Sequence, residues 1–441
     1  MITVSAALAK VLEHAQAKLP ERVLLREAAG QVLAEDVASD VDSPPHDKSL
    51  VDGYAVRATD IERALSGRAS EPIELAVVEE VTAGDVPKHE LRAGQATRIM
   101  TGAPLPAGAE AVVMVEETAW QAEAGQPLGV VRIETERFTA GQNIMRRGAA
   151  MRAGQVVLET GHIVREMEVG LLAEVGRAEV QVVPRPRVAV LPTGNELVDA
   201  ATVPPPGKIR NSNGPMLLAA VARAGGWGVD LGVGRDEEAT LRELISQGLA
   251  NDVLILSGGV SAGVLDLVPK VLGELGVVEV FHKVSLKPGK PLWFGVAEAS
   301  RGSAEGDAVS PQPKTLVFGL PGNPVSSLVC FHLFVAPAMA VLAGRPQPAA
   351  REVTATLTAP FEHRGDRPTY HPARLEPAAT TTETDVAAAA AVREAESATV
   401  TPLDWRGSSD LRTLVAANAL ILFAPGERRY AVGERVACRP L

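Results

Sequence analysis

The chain has 441 residues, which at about 100–200 residues per domain is enough for roughly three domains, each able to bury a core. It carries 43 Lys and Arg against 54 Asp and Glu, a net charge of −11, and no run of basic residues offsets it. That balance argues against nucleic-acid and acidic-membrane partners. The two cysteines, Cys330 and Cys438, fit neither a metal spacing nor a disulfide framework, which suits a reducing compartment and points to the cytoplasm.

The first residues lack a basic head followed by an apolar run, so no signal peptide is expected. Residues 5–18 carry apolar positions at helical spacing, with Ser5 as the expected cap. From about 43 to 138 the pattern becomes short β-rich runs, among them Ile73–Val78 and Ala111–Glu116, punctuated by Gly84-Asp85, Gly94 and Pro104–Gly108. Strand and helix patterns return over Gln155–Val183, so the β-rich module is read as an insertion into an N-terminal domain.

Residues 187–345 alternate: strand Arg187–Leu191, helix Pro215–Ala224, strand Val229–Gly232, helix Ala239–Leu249, strand Val253–Leu256, and a helix after Gly263. This spacing predicts a doubly wound, mostly parallel sheet. Residues 325–344 form the only apolar stretch near membrane length. Ser326, Ser327, His332 and Pro337 interrupt it and Asn323-Pro324 cap it, so a buried helix is expected. Residues 298–314 and 376–400 read as solvated loops, and Ala416–Val436 as a small terminal β domain.

Ligands of open α/β sheets bind beyond the carboxyl ends of the strands. Four loops fall there: Thr193-Gly194-Asn195-Glu196, Ser257-Gly258-Gly259, Lys287-Pro288-Gly289-Lys290-Pro291 and Leu320-Pro321-Gly322-Asn323-Pro324. Asn323 suits a helix N-cap and Pro324 the first turn, so free N–H groups at that helix start are expected to face an anion. The glycines of Ser257–Gly263 let backbone approach a phosphate, although an ordinary tight turn explains that segment equally well by itself. Lys287 and Lys290 are spaced to converge on a small oxyanion.

Glu196, Asp236 and Asp266 each sit in a strand-to-helix connection or a first helical turn, where any one of them alone would be a helix cap. Three carboxylates beside a phosphate loop repel the ligand unless a divalent cation lies between them. This points to Mg2+ with retained waters and to attack on a phosphoanhydride. None of the eight histidines has nucleophile–base company or metal-ligand spacing.

Ten segments in order carry a resemblance: DKSLVDGYAV at 47–56, RIMTGAPLPAGAEAVVMVEE at 98–117, GQNIMRRG at 141–148, PTGNEL at 192–197, IRNSN at 209–213, DVLILSGGVSAG at 252–263, KPGKPL at 287–292, FGLPGNPVSSL at 318–328, RPTYH at 367–371 and GSSDLRTLVAANALI at 407–421. With these the chain resembles the molybdopterin molybdenumtransferase family, that of bacterial MoeA and the E domain of gephyrin. The resemblance implies an elongated subunit with α/β plus β architecture and four domains. These are a linker domain at 1–42 and 139–183, an inserted β-rich domain at 43–138, a central MogA-like α/β domain at 184–346, and a small β-barrel-like domain at 347–441.

It also implies a cytoplasmic homodimer that inserts molybdate into adenylylated molybdopterin with Mg2+ and releases AMP. A molybdopterin adenylyltransferase and molybdoenzyme chaperones would be its further partners.

Carried over by residue, the resemblance gives Asp52 and Thr101 from the partner subunit and Glu196, Asp236 and Asp266 from the α/β domain as catalytic groups, the last three as metal ligands. Thr193, Gly194, Asn211, Ser212, Ser257, Gly258, Gly259, Ser261, Pro321, Gly322, Asn323 and Pro324 would hold the substrate. Lys287, Lys290, Arg367 and one of Ser408 or Ser409 would hold molybdate. Two departures stand out. The family reads Gly-Glu-Asp where this chain has Gly148-Ala149-Ala150, and it has an acid and an aromatic where Val264 and Leu267 stand. They leave open a weakly active or non-catalytic paralogue that carries or scaffolds the cofactor. A nucleotide hydrolase sharing only the α/β domain is a third reading, disfavoured by the KPGKP, RPTYH and GSS segments.

Overall fold

The structure, a computed structural model, describes residues 1–63, 65–66, 73–135, 137–259, 267–298, 314–345, 352–377 and 398–441. The chain divides into two compact units. One comprises Met1–Ala34, Gly161–Arg165 and Val180–Leu441, the other Glu35–Thr160 and Glu166–Glu179.

In the second unit a six-stranded sheet runs in the order Ala111–Met114, Gly53–Val56, Gln95–Ile99, Ile73–Val81, Gln126–Ile133, Thr118–Glu123. The expected short runs at 73 and 111 are both strands. Tyr54, Val56, Leu75, Val77, Val113 and Val131 pack one core of this unit. Gly53 faces the carbonyl oxygen of Val113, which a Cβ at that position would overlap. Gly53 is therefore required by strand pairing, and the Asp52 carbonyl accepts from the Val115 N–H at 3.0 Å beside it.

In the first unit, helix Val4–His14 buries Ala7 and Val11, and its N-cap is Thr3, whose Oγ1 accepts from the Ala6 N–H at 3.2 Å. Ser5, expected as the cap, lies inside the first turn instead.

The α/β sheet orders its strands Trp227–Asp230, Arg187–Pro192, Val253–Ser257, Lys314–Leu320, Trp293–Glu298, Val278–His282. The first four are parallel and the last two antiparallel additions. The sheet is doubly wound and mostly parallel, as expected, with the antiparallel strands at one edge. Ten residues between His282 and Trp293 are too few for a parallel crossover, so that connection closes as a hairpin. Register places its loop with the others: His282 lies opposite Trp293, and Trp293 opposite Gly319, one residue before the end of Lys314–Leu320. Lys287–Pro291 therefore emerges at the carboxyl edge of the parallel strands.

Helix Asn213–Arg223 and the run Pro324–Leu342 contribute to the core on one face of the sheet. Helices Glu238–Leu249 and Leu267–Glu274 contribute to the core on the other. Pro324–Leu342 is long and apolar enough to cross a membrane, but Val325, Val329, Phe331, Phe334 and Ala338 are buried in this core, as expected of a globular helix. It includes a π-helical turn at Phe331–Val335. The terminal β domain is a closed five-stranded barrel of Val353–Leu357, Thr399–Pro402, Thr369–Glu376, Ala419–Phe423 and Arg435–Pro440. Cys330 and Cys438 are both free and buried.

Candidate functional site

The loops at the carboxyl edge of the α/β sheet line two adjoining cavities. The first, about 580 Å³, is walled by Lys287, Lys290, Arg367, Arg406 and Ser408 together with Pro288, Pro321, Asn323, Ser326 and Trp405. The Lys287–Pro291 loop is stitched to the barrel, because the Lys287 N–H donates to Pro368 O at 2.9 Å and the Tyr370 N–H to Lys287 O at 2.8 Å. Gly289, at φ 124°, presses that loop onto the core helix, where a Cβ would come within 2.6 Å of Cys330 Sγ. Arg367 is aimed by its Nη1 bond to Leu286 O at 2.9 Å. Four cations thus converge on one cavity, the arrangement that a compact oxyanion needs. Trp405 and Arg406 carry no signal in the sequence beyond adjacency to the Gly407-Ser408-Ser409 segment.

Asn323 is the backbone N-cap of its helix, but its side chain does not accept from the helix. Its Nδ2 instead donates to Ser408 Oγ at 2.9 Å, and the Val325 N–H donates to Ser408 O at 3.1 Å. The expected free N–H group at Val325 is thus already satisfied by the Ser408 segment docked on the helix start. Ser408 belongs to the cationic cavity, whereas Ser409 lines its neighbour.

The second cavity, about 550 Å³, shares Pro291, Pro321 and Asn323 with the first. It is further lined by Thr193, Glu196, Asn211, Ser212, Asn213, Ser257, Gly258, Gly322 and Pro324. The glycines allow its close packing: Gly258 has φ 96°, and a Cβ there would sit 2.6 Å from Thr193 O. The N–H groups of Thr193, Gly194 and Gly258 donate to Ser257 O, Gly234 O and Leu320 O, so these three hold the strand tips together. The Ser257 hydroxyl, in a residue only 2% exposed, accepts from Asn213 Nδ2 at 2.7 Å. Asn213 is a further wall residue, and its only signal in the sequence is that it closes the IRNSN segment.

Glu196 lines this cavity, with its carboxylate folded over Gly194. Asp236 lies on the adjacent loop and exchanges bonds with Asn195: its Oδ2 accepts from the Asn195 N–H at 3.3 Å, and its own N–H donates to Asn195 Oδ1 at 3.1 Å. The Asn195 carbonyl accepts from Lys208 Nζ at 2.7 Å and Arg235 Nη1 at 3.2 Å, so two cations hold the loop that carries Glu196. Asp266 and Ser261, as well as Val264, lie outside the described residues. Among the described residues no group of three His, Cys, Asp or Glu side chains forms a metal cluster. Glu196 and Asp236 offer hard oxygen donors, a set that suits Mg2+, which keeps several waters and takes substrate oxygens to complete its shell.

In the other unit Asp52 and Thr101 do meet. Asp52 Oδ1 accepts from the Thr101 N–H at 2.7 Å and from Thr101 Oγ1 at 2.8 Å. These two bonds, the N–H first, hold the Asp52 carboxyl below its ordinary range. Its contribution to folding is therefore present above the unfolded carboxylate range and is lost as pH falls through the lowered value. Thr101→Val removes only the hydroxyl bond and should raise the Asp52 pKa part of the way to normal. An NMR titration of the Asp52 carboxyl carbon reads this, and an unmoved midpoint would show that the hydroxyl does not hold the charge.

The same unit pins the loop around Gly148. Arg147 Nε bonds Asp42 Oδ2 at 2.6 Å, the Arg147 N–H donates to Asp47 Oδ1 at 2.8 Å, and the Ala150 N–H donates to Ser43 O at 2.9 Å. Ala149 and Ala150 are exposed on this fixed backbone.

Three family models match the chain in order: "MoeA N-terminal region (domain I and II)" over residues 2–176, "Probable molybdopterin binding domain" over 189–341, and "MoeA C-terminal region (domain IV)" over 354–441. A molybdopterin molybdenumtransferase of Bacillus subtilis is 34% identical over 436 residues, 99% of this chain and 93% of that protein. A molybdopterin molybdenumtransferase 2 of Mycobacterium tuberculosis is 37% identical over 356 residues, 79% of this chain and 82% of that protein. Among solved structures, a molybdopterin biosynthesis MoeA protein from Pyrococcus horikosii superposes with a TM-score of 0.73 at 29% identity, covering 100% of this chain and 99% of that one.

Proposed function

The chain belongs to the molybdopterin molybdenumtransferase family, and on that premise we propose that it inserts molybdate into adenylylated molybdopterin, with Mg2+ as cofactor and AMP as the released product. It is an enzyme of molybdenum cofactor biosynthesis. The observation that carries the finer reading is the pair of contiguous cavities. One is ringed by Lys287, Lys290, Arg367 and Ser408, and the other is built from the strand tips beside Glu196. A tetrahedral dianion is held by the first through charge-assisted bonds and a hydroxyl. The pterin and nucleotide occupy the second, and the shared wall of Pro291, Pro321 and Asn323 brings molybdate next to the phosphoanhydride.

Glu196 and Asp236 would hold Mg2+, which when bound would draw charge off the phosphoanhydride oxygens and ease departure of AMP. The chain's own work is positional. Lys208 and Arg235 fix the Glu196 loop, and Asn323 ties Ser408 to the helix start. The net charge of −11 opposes an anionic substrate, so capture depends on this local cationic field and weakens with salt. Asp52 and Thr101 complete the cleft from the second copy of a cytoplasmic homodimer. A molybdopterin adenylyltransferase and molybdoenzyme chaperones stand on either side of the reaction.

The test is AMP release from adenylylated molybdopterin, expected only when molybdate and Mg2+ are both supplied. No release beside an active control transferase rejects the reading. Ala150 favours a second, carrier-like reading, since an exposed alanine on a pinned loop stands where the family has an acid. Ala150→Asp is expected to speed turnover by about tenfold if that missing charge limits the reaction, within the range of single acid–base contributions. Tight ligand binding with no turnover in either form would favour the carrier.

A further inference from the structure

Asn213 opens helix Asn213–Arg223, is 8% exposed, and belongs to the wall of the second cavity. Its Nδ2 donates to Ser257 Oγ and to Gly322 O, both at 2.7 Å. Because Gly322 O can only accept, these bonds fix which end of the amide is nitrogen. The other end, Oδ1, is buried and has no partner among the described residues. Thr193 is 2% exposed, lines the same cavity, and its Oγ1 is likewise buried without a partner. A Cβ at Gly259 would come within 2.8 Å of that hydroxyl, so the glycine leaves room beside it.

Buried polar atoms without partners are rare and costly, and two on one cavity wall describe what the cavity expects. A phosphate does not answer them: its oxygens are acceptors and would meet the lone pairs of Asn213 Oδ1. An N–H donor does, with an acceptor nitrogen nearby for the Thr193 hydroxyl. That pairing is the edge of an amino-substituted nitrogen heterocycle. Resting on the transferase reading, we infer that Asn213 and Thr193 read the amino edge of the substrate's heterocycle, which leaves the phosphates toward the cationic cavity. Pterin and adenine both present such an edge, and the two are separable by experiment.

Equilibrium binding of the full-length protein is measured with two ligand pairs. AMP is set against purine riboside monophosphate, which lacks the amino group, and a pterin monophosphate against its lumazine counterpart, in which oxygen replaces the amino group. One pair is expected to show a preference of about tenfold for the amino form, and the pair that shows it identifies the heterocycle. Asn213→Leu should collapse that ratio toward one, whereas loss of scaffold alone would weaken both members equally and leave the ratio intact. Thr193→Val, which keeps the Asn213 bonds, serves if the Asn213 variant does not fold: it should weaken both members of that pair about threefold or more while leaving the other pair unchanged, and equal weakening of all four ligands overturns the inference. Equal binding of amino and non-amino forms by the unaltered protein overturns the inference and leaves the transferase reading standing. So does a preference that survives Asn213→Leu. Failure of all four ligands to bind removes the transferase reading itself, and the inference with it.

Discussion

Replacing Lys287 and Lys290 together by alanine should raise the molybdate concentration for half-maximal AMP release by about 100-fold or more, while affinity for the adenylylated pterin changes by less than about threefold. Each charge-assisted bond to an anion contributes about 1.5–3 kcal/mol, so losing two on one small dianion shifts its binding by at least two orders of magnitude. The asymmetry follows from the walls: both lysines line the cationic cavity, and neither lines the one beside Glu196. Arg367→Ala should move the molybdate dependence in the same direction by a smaller factor, since Arg406 and the lysines remain. A molybdate titration of AMP release, set against pterin binding measured without molybdate, reads both quantities. Equal losses in the two would place the lysines on the pterin phosphate and reject the assignment.

The double variant Glu196→Gln with Asp236→Asn should lower AMP release by at least about 100-fold and shift its Mg2+ midpoint upward, because both carboxylates are removed from the proposed ion while the loops keep their shape. Lys208 and Arg235 still bind the Asn195 carbonyl in that variant, so the scaffold is retained. Chelation of the unaltered enzyme should abolish release, and added Mg2+ should restore it. Release that persists in chelator would end the metal assignment, and a rate loss without a moved Mg2+ midpoint would give the carboxylates some other role.

Much of the architecture was legible because local rules and global fold agree. Alternating strand and helix periods located the α/β region, the short punctuated runs located the six-stranded β unit, and Asn323-Pro324 located the start of the long buried helix. The exceptions have local causes. Thr3 outcompetes Ser5 as a cap because the helix starts one residue before Ser5. The sheet ends in two antiparallel strands because a ten-residue connection closes as a hairpin, a distinction that an apolar run does not reveal.

For the site, residue chemistry and position along the chain were available beforehand; convergence was not. Lys287 and Lys290 advertise themselves in KPGKP, yet nothing local says that Arg367 and Ser408, about 80 and 120 positions later, face the same cavity. Asn323 reads as a cap from its neighbours, but its Nδ2 donates to Ser408 Oγ and its side chain makes no cap bond, while the Val325 N–H is taken by the Ser408 carbonyl.

Period and turn chemistry are local properties, so residue order alone marks an α/β and β chain in which loops suited to phosphate follow successive strands. Which of those loops share a cavity, which hydroxyl joins the cations, and which buried atoms stay unpaired are settled only on folding. Those outcomes depend on strand register and on contacts between segments far apart in the chain, which no window of residues contains.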